Sequence, residues 1–192
     1  MILQRLRSET KEAHQALEKL IIPRIKNIRS NEDYISLLNL FYGYFKPVEG
    51  LLYQHLSDKE VPAFSERRKS GSIVNDIQSA GGESTDVVCT NLPSISNSNE
   101  AMGAMYVMEG STLGGKIISK MIQQALSLPT DESVSFFKGY GESSDEMWAS
   151  FTHALDHHTT DPQQQDQIAE AANNTFVKFK NWVEHNTVAR QN

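Results

Sequence analysis

Only one cysteine, Cys89, occurs in the 192 residues, so no disulfide can form within the chain. Long apolar runs are missing too. None approaches the roughly 20 residues that a membrane-spanning helix needs, so no membrane is expected among the partners. The opening MILQRLRSETKEAH turns charged within a few residues and has neither an apolar core nor a small-residue cleavage site. No secretory signal is therefore expected, and the expected location is cytoplasmic. Basic excess is absent: the net charge of −6 argues against nucleic acid, whose phosphates attract clustered Lys and Arg. There is no internal repeat, no low-complexity segment, no GxGxxG fingerprint and no alternating run long enough for a sheet.

What remains is helical periodicity, on a length that suits one domain with a substantial core. From Ile2 to Leu20, the apolar positions Leu3, Leu6, Ala13, Leu17 and Leu20 share one arc of a first amphipathic helix. Ser30 is a candidate N-cap, with Asp33 in the first turn of a second helix running to Leu56. Pro47 should kink or divide that helix. A short helix is expected between Ser65 and Gln78, and GGESTDVVCTNLPSISNS reads as an irregular connection. Asn97 and Glu100 have capping-box spacing, opening a long helix that continues to a stop at Pro129. FFKGYGE reads as a loop with a turn and DEMWASFTHALDHH as a helix. In the last helix Asp161 caps and Pro162 takes the first helical position. The expectation is all-α, with six to eight helices in one domain over 1–186 and a frayed tail at 187–192.

Two features suggest chemistry. Gly103, Gly110, Gly114 and Gly115 lie within the expected long helix, and together weaken it by roughly 3–4 kcal/mol relative to alanine. The first three fall at i, i+7 and i+11, on one face. Such a face admits either a closely packed helix or a flat ligand against bare backbone. Ser111 and Thr112, in the same turn, can supply hydroxyls or bend the helix by bonding back to its carbonyls. In the first helix, Arg7, Lys11, His14 and Glu18 form one polar line beside the apolar arc. That line is either a solvated flank or a ligand set. In the second case the His14 imidazole binds a metal, Glu18 orients its other nitrogen, and Arg7 and Lys11 hold anionic groups of the same ligand. The run Arg67, Arg68, Lys69 reads as solvated surface, where an acidic partner could dock. His55, His153, His157, His158 and His185 read as exposed.

LRSETKEAH, ending on His14, and YVMEGSTLGG, spanning Tyr106 to Gly115, together resemble the heme oxygenases, specifically their bacterial biliverdin-producing group. ALSLPTDESVSFF and DPQQQDQIAEAANNTFVKF extend the resemblance in order and spacing over nearly the whole chain. It implies a compact multi-helical fold, with heme held between the first, proximal helix and a kinked glycine-rich distal helix. It implies His14 as the iron ligand, Glu18 as its hydrogen-bonding partner, and Arg7 and Lys11 near the propionates. Gly110, Ser111 and Gly114 would form the distal wall, leaving room for oxygen. Phe176 and Phe179 fall where the family's last helix lines the pocket, although core packing is the simpler reading of each.

The implied activity opens the porphyrin with O2 and electrons, giving biliverdin, ferrous iron and carbon monoxide. An external ferredoxin, flavodoxin or reductase would be the donor. A neutral histidine pushes less electron density onto iron than a thiolate would, which suits oxidation of the ring. Two departures stand out. Ser111 occupies the place of an aspartate in many animal members, and Thr152 that of a propionate-pairing arginine. The alternatives are a heme-binding or storage protein on the same scaffold without turnover, and a relative of the fold acting on thiamin or using two metal ions.

Overall fold

The computed structural model describes residues 1–126 and 131–188, and all the regular secondary structure among them is helical. Nine α-helices follow in order among the described residues: α1 (Ile2–Glu9), α2 (Lys11–Lys26), α3 (Asn31–His55), α4 (Gly71–Ser79), α5 (Ser98–Gly110), α6 (Gly115–Leu126), α7 (Ser135–Lys138), α8 (Ser144–His158) and α9 (Pro162–Val188). Single 3₁₀ turns occur at Phe64–Glu66, Asp131–Val134 and Gly141–Ser143. The expected stop at Pro129 and the tail from 189 onward lie outside the described residues. Helix α9 itself continues to Val188.

The first amphipathic stretch is two helices rather than one. Thr10 separates them, its hydroxyl donating to the Leu6 carbonyl at 2.7 Å, the local competition by which a threonine bends a helix. The backbone pattern nearly runs through, with Thr10 N to Leu6 O and His14 N to Thr10 O both at 2.9 Å. Arg7 and Lys11 therefore stay on the side that carries His14.

Helix α3 begins where its capping box places it. Ser30 Oγ accepts from Asp33 N at 3.2 Å, and the Asp33 carboxylate accepts from Ser30 N at 3.1 Å. Pro47 does not divide it. A proline removes the donor that would have bonded the carbonyl four residues back. That carbonyl, on Gly43, accepts instead from Cys89 N at 2.8 Å, from the irregular 80–97 segment folded alongside. A long-range hydrogen bond thus replaces the missing local one, which sequence periodicity cannot reveal. At α5, Asn97 Oδ1 accepts from Glu100 N at 3.0 Å as expected, but Glu100 reaches Ser96 N at 2.6 Å instead of completing the box.

The core gathers on α9, whose largest partner is α5, with α2, α1 and α3 also against it. Tyr44 stacks on Phe179 with ring centroids 4.5 Å apart, and its hydroxyl donates to Thr175 O at 2.6 Å. Gly103 explains how α5 and α9 come so close. A Cβ there would land on the Ile168 carbonyl and crowd Ala171 and Ala172.

The expected long distal helix is broken between Gly110 and Gly115. Over 111–114 the chain makes three-residue turns, Thr112 N to Glu109 O, Leu113 N to Gly110 O and Gly115 N to Thr112 O, at 3.0–3.2 Å. The hydroxyls of Ser111 and Thr112 bond back to Met108 O and Glu109 O, both at 2.7 Å, and favour that tightening. Across the break the four glycines part company. Gly115 packs on the Phe137 carbonyl, where no Cβ fits. At Gly110 a Cβ would meet only Trp148 at 3.7 Å, and at Gly114 only Ile118 at 3.9 Å.

Gly103→Ala and Gly115→Ala are each expected to lower stability by about 1–3 kcal/mol through overpacking. Gly110→Ala should leave it unchanged or raise it by up to about 1 kcal/mol. Urea unfolding of the ligand-free protein checks the contrast, and equal losses at all three sites would refute this division.

Candidate functional site

Beside the helix break lies a cavity of about 750 Å³, on the scale of small-molecule and cofactor sites, which run to roughly 300–1,000 Å³. One wall is the α1–α2 face, from Arg7 to Lys26. The other is the α5–α6 break, from Tyr106 to Met121. Phe41 and Phe45 of α3, Phe136 and Phe137 of α7, and Phe176 and Phe179 of α9 close the back. All nine residues singled out from the sequence border this cavity: Arg7, Lys11, His14 and Glu18 on one wall, Gly110, Ser111 and Gly114 on the other, Phe176 and Phe179 behind.

Position on α2 leaves His14 half exposed to the cavity (51% of its side chain), a consequence of lying beside rather than within the buried stripe Leu17, Ile21, Ile25. Its ring packs on Phe176, with centroids 5.1 Å apart and planes tilted by 42°. Its Nε2 lies 3.5 Å from Glu18 Oε1. Arg7 and Lys11 are exposed, one turn apart in the same wall. Phe176 and Phe179 are buried, at 8% and 3% exposure, so each is a core residue and a lining residue at once. The mouth carries uncovered apolar side chains, Ile22, Leu113 and Ile117 at 42%, 44% and 69% exposure.

The back wall is fixed by a buried carboxylate. Asp76 of α4 accepts from Ser135 N and Phe136 N, both at 2.9 Å, and from Ser135 Oγ at 2.6 Å. It thereby satisfies the first donors of α7 and sets Phe136 and Phe137 against the cavity. Burial pushes its carboxyl above the usual range, and the hydrogen bonds from Ser135, Phe136 and Tyr34 oppose that rise.

The basic run is not a solvated surface. Arg67 is 3% exposed and forms a buried ion pair with Glu109 (Nη1 to Oε2, 2.5 Å), with further bonds to Met147 O and Pro62 O. Arg68 turns toward the cavity. Its Nη2 donates to Ser111 Oγ at 2.5 Å and to Met108 O at 2.8 Å, its Nη1 to Phe136 O at 3.1 Å, and its guanidinium lies 4.4 Å from the Phe136 ring centroid. Only Lys69 is exposed. The segment is extended at Arg67 (φ −67°, ψ 155°), so consecutive side chains leave in different directions and a run of three charges does not share one environment. The three residues therefore do not form one exposed basic surface for an acidic partner. Sequence reasoning missed Arg68 as a site residue, and the signal lay in Glu109. That residue is a carboxylate directly after the apolar run Ala101–Met108 of α5, and its burial requires a cation from elsewhere in the chain.

Tyr140 joins the same group. Its hydroxyl donates to Glu109 Oε1 at 2.7 Å and accepts from Arg68 N at 2.9 Å. Burial, with Glu109 adjacent, pushes it above the ordinary phenol range. His158 is a further correction: it is half-buried, with Nε2 3.0 Å from Asn99 Oδ1, and desolvation lowers its pKa. His55 is also partly covered. Among the described residues, no three His, Cys, Asp or Glu side chains come together as a metal-holding group, and no helix is long and apolar enough to cross a membrane.

These features define an all-helical protein with a large cavity between the histidine-bearing helix α2 and the glycine-bearing break between α5 and α6. The heme oxygenase family profile matches residues 1–185, and the chain belongs to that family. Among solved structures, it is similar to the NO- and CO-bound heme oxygenase of Neisseria meningitidis, at 19% identity and a TM-score of 0.82, covering 96% of this chain and 91% of that one. The heme oxygenase of Leptospira interrogans is similar at 20% identity and a TM-score of 0.77, with 96% and 98% covered. Comparison with curated protein sequences gives no match.

Glu109→Ala is expected to cost about 3–5 kcal/mol of stability, because it strands the Arg67 guanidinium in the interior. Urea unfolding measures it, and a loss below about 1 kcal/mol would mean that the pair is effectively solvated.

Proposed function

We propose that this protein is a cytoplasmic heme oxygenase: it takes heme into the cavity between α2 and the α5–α6 break, with His14 as the iron ligand, and opens the macrocycle to biliverdin, ferrous iron and carbon monoxide. The observation that carries the reading is the pairing of walls. A cavity-facing imidazole and two glycines, at which even a Cβ would meet nothing closer than 3.7 Å, border the same space. The fit extends to the rim, where uncovered Ile22, Leu113 and Ile117 suit an apolar ring edge and the cations of Arg7 and Lys11 suit its two carboxylates.

Heme, here the substrate, supplies both the iron that activates oxygen and the ring that is oxidised. The protein's own work is to bind, orient and exclude. His14 ligates as the neutral imidazole, and Phe176 restricts the tilt of its ring. Ligation through Nε2 would require the ring to turn so that Nδ1–H faces Glu18, which would then fix the tautomer and the ring's orientation. Gly110 and Gly114 leave two positions of the other wall without a side chain, while Ser111 offers it a hydroxyl already held by Arg68. The aromatic back wall keeps bulk water from that face. Electrons come from an external ferredoxin, flavodoxin or reductase, for whose docking Arg67 and Arg68, turned inward, offer no exposed basic pair.

Hemin titration of the purified protein should give saturable one-to-one uptake with a histidine-type visible spectrum, and added reductant in air should then yield a green bilin. His14→Ala should fold normally and lose that spectrum. Glu18→Ala should weaken hemin binding by about tenfold. An unchanged spectrum in His14→Ala would remove the ligand assignment, and hemin bound but never consumed would leave a storage protein on this scaffold.

A further inference from the structure

Beside α5, next to the large cavity, is a second chamber of about 30 Å³, bordered among others by Glu49 of α3, Arg67, Arg68, Ser70 and Glu109. One water molecule needs roughly 10–15 Å³, and although Leu52, Phe64 and Met105 also border the chamber, its polar groups can hold one. Ser70 needs such a partner. It is 1% exposed, and its Oγ has no hydrogen bond, the single buried side-chain polar atom so placed among the described residues. A buried hydroxyl left in that condition is destabilising, so ordered water is its expected complement. The position is tied down, with Ser70 N donating to Glu49 Oε2 at 2.5 Å.

Two residues border both chambers, Phe45 and Arg68, and of these only Arg68 is polar. A guanidinium carries five N–H donors. Three are used, toward Phe136 O, Met108 O and Ser111 Oγ, which leaves Nε–H and one Nη1–H for water or for an anionic group on the glycine wall. The charged and titratable groups facing it are Glu109 of α5, Glu49 of α3 and Tyr140, each of which favours the cation against desolvation; burial brings its pKa down to about 10, so it stays charged at neutral pH.

We propose that Arg68 is the distal positioning residue of this protein, joining the hydrogen-bond network at the glycine wall to a water held against Ser70 in the second chamber. The proposal rests on the large cavity being the heme site. It places a fixed positive charge, by way of Ser111, on the wall that in many animal members carries an aspartate, so the network draws on a cation from the segment before α4.

The test uses full-length Arg68→Met as its hemin complex, followed by visible spectroscopy against pH. Hemin should still bind, with affinity within about threefold of the parent, since Arg68 is not the ligand. The midpoint between the acidic and alkaline spectra should rise by about half a unit or more, because the cation favouring the anionic form at the distal face is gone. Arg68→Lys should restore most of the shift. Normal hemin uptake with an unmoved midpoint overturns the proposal and leaves the heme reading standing; absence of saturable uptake by the parent protein overturns the heme reading and the proposal with it. A crystal structure of the parent hemin complex tests the second half without relying on any variant. Ordered water within hydrogen-bond distance of Ser70 Oγ is expected, and a dry chamber or Ser70 turned onto a protein acceptor overturns it.

Discussion

The buried contact between Arg67 and Glu109 is the constraint on which the glycine wall depends. A carboxylate inside a helix that packs on every side is tolerated only with a matched cation, and the cation comes from an extended segment some forty residues earlier in the chain. Once Arg67 is drawn in, the residue after it has to leave in another direction, and it reaches the helix break. There Arg68 bonds Ser111 and the Met108 carbonyl, one of those freed where α5 ends. The break is thus held open from outside by a guanidinium as well as bent from inside by the hydroxyls of Ser111 and Thr112.

The opposite wall works by simpler physics. Helix α2 buries Leu17, Ile21 and Ile25 and keeps its polar flank, one step around the helix, toward the cavity. No buried charge network supports that flank. His14 has a ring contact from Phe176 and a distant carboxylate from Glu18, and Arg7 and Lys11 are exposed. One wall is therefore internally hydrogen-bonded, while the other presents exposed polar side chains to the cavity, which the proposed reading assigns to the ligand. This asymmetry suits a site that must admit a large apolar disc with two charged tails and then hold its reacting face steady.

Local rules made much of this legible. Ser30 with Asp33, Asn97 ahead of Glu100, and Asp161 before Pro162 each mark a helix start because a cap is decided within three or four residues. The polar line from Arg7 to Glu18 survived the bend at Thr10 because a single back-bonded turn hardly changes the phase of the helix. Where local rules were insufficient, the missing partner was distant in the chain. Pro47 leaves α3 whole because Cys89 N takes up the Gly43 carbonyl. The basic run departs from a solvated surface because Glu109 and Ser111 wait for it, and His158 is partly covered because Asn99 lies against it.

The four glycines draw the dividing line. Their spacing in the sequence by itself determined that something had to come close to a bare helix, since alanine at those positions would have made a better helix, but it left both a helix and a ligand as candidates. Tertiary structure gave each glycine its own answer: Gly103 lies on α9 and Gly115 on the Phe137 carbonyl, while Gly110 and Gly114 open on the cavity. The physical reason is range. Helical class, caps and the histidine's flank follow from interactions within about one turn of chain, whereas steric room at a Cβ and the burial of a charge depend on atoms that only folding brings near.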